Sequence, residues 1–279
     1  MRLPISTRTM LPSHRQRGTS ILTLVIALIA AGLTVGGYLM WQSNRISAEL
    51  RQSIATLEHY QSAMLKFKRQ FESLPGDFPY ATRIWGSARG ALSDGYSADC
   101  AQLTKPSTDK KTCNGNGDGW PYDSTVIAPS QHYERFRFWQ HLANGGFIEG
   151  QYTGIGGPHD RKTHHVEGVN SPKTPFPDGI FAITSGSKPR WDVNVWSHDG
   201  NYVRLEMRND HHNRLAILTT RQMATLDGKM DDGKPGTGKI QSYTPLRQPL
   251  CATTKEAATA QYNFAKTELA CSVIYYLDK

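Results

Sequence analysis

Acidic residues are missing from the first 48 positions. Glu49 is the first aspartate or glutamate in a chain of 279, whereas Arg2, Arg8, Arg15 and Arg17 all precede it. Those four arginines account for half of the net charge of +8, and the surplus left after residue 18 is too small to argue for nucleic acid as a partner. Cysteine is scarce, with four in all and no C-x-x-C, so a zinc site of the usual spacing is excluded. Catalytic signatures are missing too: there is no G-x-S-x-G, H-E-x-x-H or Walker-type P-loop. Gly115, Gly117 and Gly119 are too regular for a phosphate cradle, and the pairs His164 with His165 and His211 with His212 read as surface loop residues without an acidic helix beside them. The only enzyme compatible with these absences is a membrane-anchored, calcium-dependent hydrolase of unrecognised chemistry. A compact all-helical body is not expected either, because 25 glycines and 15 prolines demand many turns around a modest core.

Residues 19–41, TSILTLVIALIAAGLTVGGYLMW, carry no charge at all and are long enough to cross a bilayer as a helix. Arg15 and Arg17 on the N-terminal side predict an N-in, C-out orientation, which puts the rest of the chain outside the cytoplasm. Gly18 is the only small residue between the basic flank and the apolar run, so any cleavage there leaves the helix attached. The helix does not end at the membrane. Ile46, Leu50, Ile54, Leu57, Tyr60, Met64, Phe67 and Phe71 recur at spacings of three and four, with Arg45, Glu49, Arg51, Glu58, Lys66 and Arg69 on the other faces. The stripe is wider than the seam of a coiled-coil stalk and stops at Leu74, Pro75 and Gly76, giving one helix of about 55 residues.

Further along, residues 131–144 predict an amphipathic helix that offers Tyr133, Phe136, Phe138, Trp139 and Leu142 to a core and is closed by Gly145 and Gly146. A short helix is expected over 221–230. Residues 180–184, 191–196, 202–207, 215–219 and 271–277 read as strands of an antiparallel meander, with the HDGN of 198–201 as a hairpin turn. Alternation in Tyr202, Arg204 and Glu206 against Val203, Leu205 and Met207 predicts one buried face, packed on the amphipathic half of the long helix. Residues 154–178 read as a long surface loop. The expected class is therefore α+β.

Outside the cytoplasm, Cys100, Cys113, Cys251 and Cys271 are expected in two disulfides, for which three pairings are open. The local pairs, Cys100 with Cys113 and Cys251 with Cys271, close loops of about 14 and 21 residues and contribute about 3 kcal/mol each on a chain-entropy estimate. Asn114, Asn116 and Asp118 alternate before Gly119 like the first half of a calcium loop, and Asp123 or Glu134 could fold back to complete it. A plain Asx-rich turn explains the same letters. Asp227, Asp231 and Asp232 form a second acidic cluster at the end of the helix over 221–230.

A basic leader, Gly18 and a retained apolar helix together resemble the type IV prepilin and pseudopilin signal. The segments LPGDFPYATRIWG at 74–86, CNGNGDG at 113–119, RFWQHLANGGFIEGQYTG at 137–154 and DGKMDDGKPGTGKI at 227–240 are similar to those of a group of prepilin-type proteins from Gram-negative bacteria. The resemblance implies a leader over 1–18 and a cut by prepilin peptidase between Gly18 and Thr19, followed by methylation of the new amino terminus. It implies a membrane helix over 19–41, its amphipathic continuation over 42–74, and a pilin-like globular domain over 75–279 with a long helix on an antiparallel sheet. It further implies partnership with other pilins through the N-terminal helix and with an inner-membrane assembly platform, in a type IV pilus or a type II secretion pseudopilus. Pseudopilins commonly hold calcium near the C-terminus, which favours Asp227, Asp231 and Asp232 as ligands. Where the family usually has Phe and Glu at the first and fifth mature positions, this chain has Thr19 and Thr23. Without the carboxylate that pairs a neighbour's amino terminus, the chain is expected at the tip of a filament, with no subunit above it.

Overall fold

The computed structural model describes residues 17–88, 110–121, 134–156, 165–185, 200–207, 215–244, 250–254 and 256–278. The chain divides into two compact units, the first ending at Ala48 and the second starting at Glu49. Helix α1 (Arg17–Phe71) spans 55 residues. In the first unit its segment Ile21–Trp41 has a mean hydropathy of 2.1, and no part of it is buried. Leu33 is 72% exposed, and Ile21, Leu22, Leu28 and Met40 are similarly open. By length and composition this helix is long and apolar enough to cross a membrane. Thr34 returns its hydroxyl to the Ala31 carbonyl (2.9 Å), so that this hydroxyl needs no partner outside the helix. The apolar run ends in aromatics, with Tyr38 and Trp41 rings 6.1 Å apart and the Arg45 guanidinium 5.3 Å over Trp41.

In the second unit, the part of α1 from Glu49 onward is a core helix. Leu50, Leu57, Tyr60, Met64 and Phe67 of the expected stripe are buried, and Ile54 and Phe71 half-buried. The helix packs on a five-stranded, wholly antiparallel sheet made of β1 (Gly179–Ser185), β2 (Asn201–Met207), β3 (Leu218–Thr219), β4 (Ile240–Tyr243) and β5 (Leu269–Tyr276). The order is β1-β2-β5-β3, and β4 also pairs with β5. One edge of β5 takes β2, with Tyr202 opposite Tyr276. The other edge takes β4 at Ser272 to Tyr275, and β3 pairs with Leu269 and Cys271. Direct partners share a face, so Phe181, Leu205 and Val273 line up across three strands. That face meets α1: Tyr60 packs edge-on against Phe181 at 5.3 Å, and Tyr275 Oη donates to Gln61 Oε1 at 3.0 Å. Gln61 also donates to the Leu277 carbonyl and accepts from Lys239 Nζ, tying the helix to the C-terminal end of β5 and the start of β4.

Three short helices follow among the described residues: α2 (Ala81–Trp85), α3 (Glu134–Asn144) and α4 (Thr220–Met230). Helix α4 starts on a capping box, in which the Thr219 hydroxyl accepts from Gln222 N and Gln222 Oε1 accepts from Thr219 N. The fold is α+β, as expected. Several local expectations change. Strand β2 is buried on both faces rather than one, and Arg204 and Glu206, expected toward solvent, lie buried 3.5 Å apart as an ion pair. The hairpin partner of β2 is β1, and β5 occupies its other edge over residues 202–205, whereas the strand expected over 191–196 lies outside the described residues. So do His198 and Asp199 of the expected turn. Of the strand expected over 215–219 only Leu218 and Thr219 are regular, with Leu215 making an isolated bridge to Met207. The segment expected as a surface loop over 154–178 is instead packed inward in its described parts. Ile155, His165, Asn170, Ser171 and Phe176 are buried, Asn170 Nδ2 donates to the Ile155 carbonyl, and Ser171 Oγ donates to the Phe181 carbonyl. Buried backbone in an irregular segment must find such partners, and here side-chain amides and hydroxyls supply them.

Candidate metal centres

Helix α3 organises the first site. Phe136, Phe138, Trp139 and Leu142 are buried as expected, with Trp139 4.9 Å from Tyr60. Glu134, Arg137, Gln140 and His141, on the side expected to be polar, are buried as well. Their spacing of three and four makes a second stripe, and each member grips the segment 110–116. Gln140 Oε1 accepts from the Thr112 hydroxyl (2.6 Å), Arg137 Nη1 donates to the Asn114 carbonyl, and Asn144 Nδ2 donates to the Lys110 carbonyl (2.7 Å). His141 Nδ1 accepts from Gly76 N at 3.0 Å, which places the ring proton on Nε2, 3.1 Å from the Cys113 carbonyl. Burial, helped by Arg137, pushes His141 down to about 3, so it is a neutral structural strut.

The turn after α1 presses into the same place. A Cβ on Gly76 would sit 2.4 Å from the Glu134 carbonyl, and φ is +86°, so only glycine fits. The next residue, Asp77, then aims its carboxylate at the 117–119 loop. Oδ1 accepts from Gly117 N (2.7 Å) and Asp118 N (3.0 Å), and Oδ2 from Gly119 N (2.8 Å). Glu134 Oε1 accepts from Asn116 N at 2.7 Å. Asp77, Asp118 and Glu134 thus bring one oxygen each within 4.8 Å of one another. Burial, opposed by its loop N–H partners, raises the Asp77 carboxyl, and burial pushes Glu134 up to about 8.

This is not the ligand set expected from spacing. Asn114 is committed elsewhere, its Oδ1 accepting from Thr82 N at 2.8 Å. Asn116 and Asp118 each make an Asx turn, Asn116 Oδ1 with Asp118 N and Asp118 Oδ1 with Trp120 N. Of the two residues named as able to fold back, Glu134 does so, while Asp123 lies outside the described residues. Asp77 was missed, because nothing local in the sequence connects a residue in a helix-stop turn to a loop 40 positions on.

The second cluster, Asp227, Asp231 and Asp232, also comes together. Carboxylates ahead of such a turn are ordinarily solvated, yet Asp227 is fully buried. Its Oδ2 accepts from Tyr262 Oη (2.6 Å) and its Oδ1 from Gly233 N (3.3 Å), and burial pushes it up to about 7. Asp231 Oδ2 accepts from Lys239 N and from Ile240 N (2.8 Å), and a Cβ on Gly238, where φ is +76°, would collide with that oxygen. Asp232 accepts from Lys234 N and the Thr237 hydroxyl. The three aspartates lock the turn that carries the chain from α4 into β4.

Cys251 and Cys271 are bonded, with Cα atoms 5.1 Å apart, joining the start of the 251–263 segment to β5. Cys113 is also disulfide-bonded, and Cys100 lies outside the described residues. Gly18 and Thr19 lie in the first turn of α1. His165 is buried against Phe136 at 4.8 Å rather than lying on the surface, while His164, His211 and His212 lie outside the described residues. No family model, curated protein or solved structure matches the chain.

Proposed function

We propose that this chain is a minor pilin or pseudopilin, a structural subunit that is cut after Gly18, held in the inner membrane by α1 and then drawn into a type IV pilus or secretion pseudopilus. The observation that carries the reading is a single helix with two unlike halves. Ile21–Trp41 is apolar on every side and wholly uncovered, whereas the part from Glu49 onward is core to an α+β unit. Such a run needs lipid before assembly and the helices of neighbouring subunits afterwards. Gly32, Gly36 and Gly37 have nothing within 4 Å of where a Cβ would stand, leaving room for close helix packing. Thr23 in place of the family's carboxylate fits a tip position, where no neighbour's amino terminus has to be neutralised.

Mass spectrometry of the protein extracted from membranes of cells that contain prepilin peptidase tests this. The expected species begins at Thr19, and Gly18→Leu retains the leader. Retention of Met1 in the parent chain, or a cut beyond Trp41, rejects the pilin reading. The second reading, an uncut signal anchor that displays a cation-binding domain outside the cytoplasm, has the two acidic clusters in its favour and predicts an intact Met1.

A further inference from the structure

We propose that Asp77, Asp118 and Glu134 form a divalent-cation site of the hard, all-oxygen class that suits calcium, clamping the turn after α1, the 114–119 loop and the start of α3 to one another.

Three observations carry it. First, the carboxylates come from three separate segments, and one oxygen of each lies within 4.8 Å of the others, no wider than the span across an ion with oxygens at about 2.3–2.6 Å. Second, Glu134 is only 1% exposed, and while its Oε1 accepts from Asn116 N, its Oε2 is buried without any hydrogen-bond partner. A carboxyl oxygen shut away from water without a hydrogen-bond partner is expensive, and a cation between the carboxylates removes that cost. Third, the site has a built floor and an open mouth. Asp77 is held by N–H groups of Gly117, Asp118 and Gly119, which leave further lone pairs on its oxygens, and Asp118 is exposed where an ion would enter.

The Asp227 cluster lacks the second of these features. Both oxygens of its one fully buried carboxylate have donors, from Tyr262 and Gly233, and the loop it organises accounts for the aspartates. With neither His nor Cys among the three ligands of the first site, thiophilic metals are disfavoured and calcium or magnesium is the expected class. This inference is independent of the pilin reading, since a chain that keeps Met1 would hold the same site.

The test uses the full chain in detergent, stripped with chelator and titrated with calcium chloride or magnesium chloride. Two signals are followed: the melting midpoint, and the fluorescence of Trp120, whose backbone N–H donates to Asp118 Oδ1 at 2.8 Å. The expected result is a midpoint that rises by several degrees with calcium concentration and falls back with chelator. Glu134→Gln, which keeps the shape and the Oε1 acceptor, and Asp118→Asn, at an exposed position that folding tolerates, both abolish the rise. Asp232→Asn keeps it. The proposal is overturned by no midpoint shift up to about 10 mM calcium or magnesium, or by a shift of equal size in Asp118→Asn, which would put the ion elsewhere.

Discussion

Replacing Phe67 with alanine removes the residue around which the C-terminal half of α1 is packed. Phe67 is fully buried, with ring centroids 4.6 Å from Phe71, 5.6 Å from Phe147, 6.0 Å from Phe78 and 6.3 Å from Trp85, and it lies parallel to His141 at 6.4 Å. Its neighbours come from α1, the turn after it, α2, α3 and the segment after α3, so no single element can move in to fill the gap. Truncating a phenylalanine in such a place costs about 3–5 kcal/mol. For a unit of this size, each kcal/mol shifts the midpoint by about 2–4 °C, so Phe67→Ala is expected to melt about 6–20 °C lower. Leu65, two residues away on the opposite side of the helix, is 42% exposed, and Leu65→Ala is expected to change stability by no more than about 0.5 kcal/mol. Near-UV circular dichroism of the detergent-solubilised chain reports tertiary packing rather than helix content, which separates loss of the core from fraying of α1. If Phe67→Ala melts within about 2 °C of the parent, or if Leu65→Ala falls as far, this half of α1 is a stalk and not a core helix.

The bond between Cys251 and Cys271 closes a separation of 20 residues, so the double serine variant is expected to lose about 3 kcal/mol, seen as a midpoint lower by about 6–12 °C; an unchanged midpoint would show that the 251–263 segment is held by its other contacts. Burial raises Asp227 from 3.8 in the unfolded chain to about 7, so the folded state binds more protons across that window. Its contribution is then fully present below about pH 4 and is lost as pH rises through 7. In chelator, Asp227→Asn should flatten this fall in the midpoint between pH 4 and 7, and a variant whose profile runs parallel to the parent's would refute the assignment.

The long helix, the stripe of core residues on its C-terminal half and the α+β class were legible in the sequence because each rests on periodic patterns within single segments. Leu57, Tyr60, Met64 and Phe67 recur at helical spacing whatever surrounds them, and the chargeless run before them needs no partner to be recognised. Helix α4 and strands β1 and β2 announced themselves in the same local way. What tertiary structure alone decided is burial of polar groups and the meeting of distant ones. Arg204 and Glu206 have the letters of a solvent-facing row, and only a sheet covered on both faces makes them an interior pair. The stripe of Glu134, Arg137, Gln140 and His141 reads as the wet side of an amphipathic helix until the 110–116 segment lies along it and hydrogen-bonds to each of its members. Asp77 and Asp118 become neighbours only because the turn at Gly76 drives one carboxylate into a loop 40 residues away. Hydrophobic periodicity is a property of sequence, since apolar side chains need only be out of water. A polar side chain in the interior needs one particular partner at one particular distance, and which partner arrives is a property of the fold.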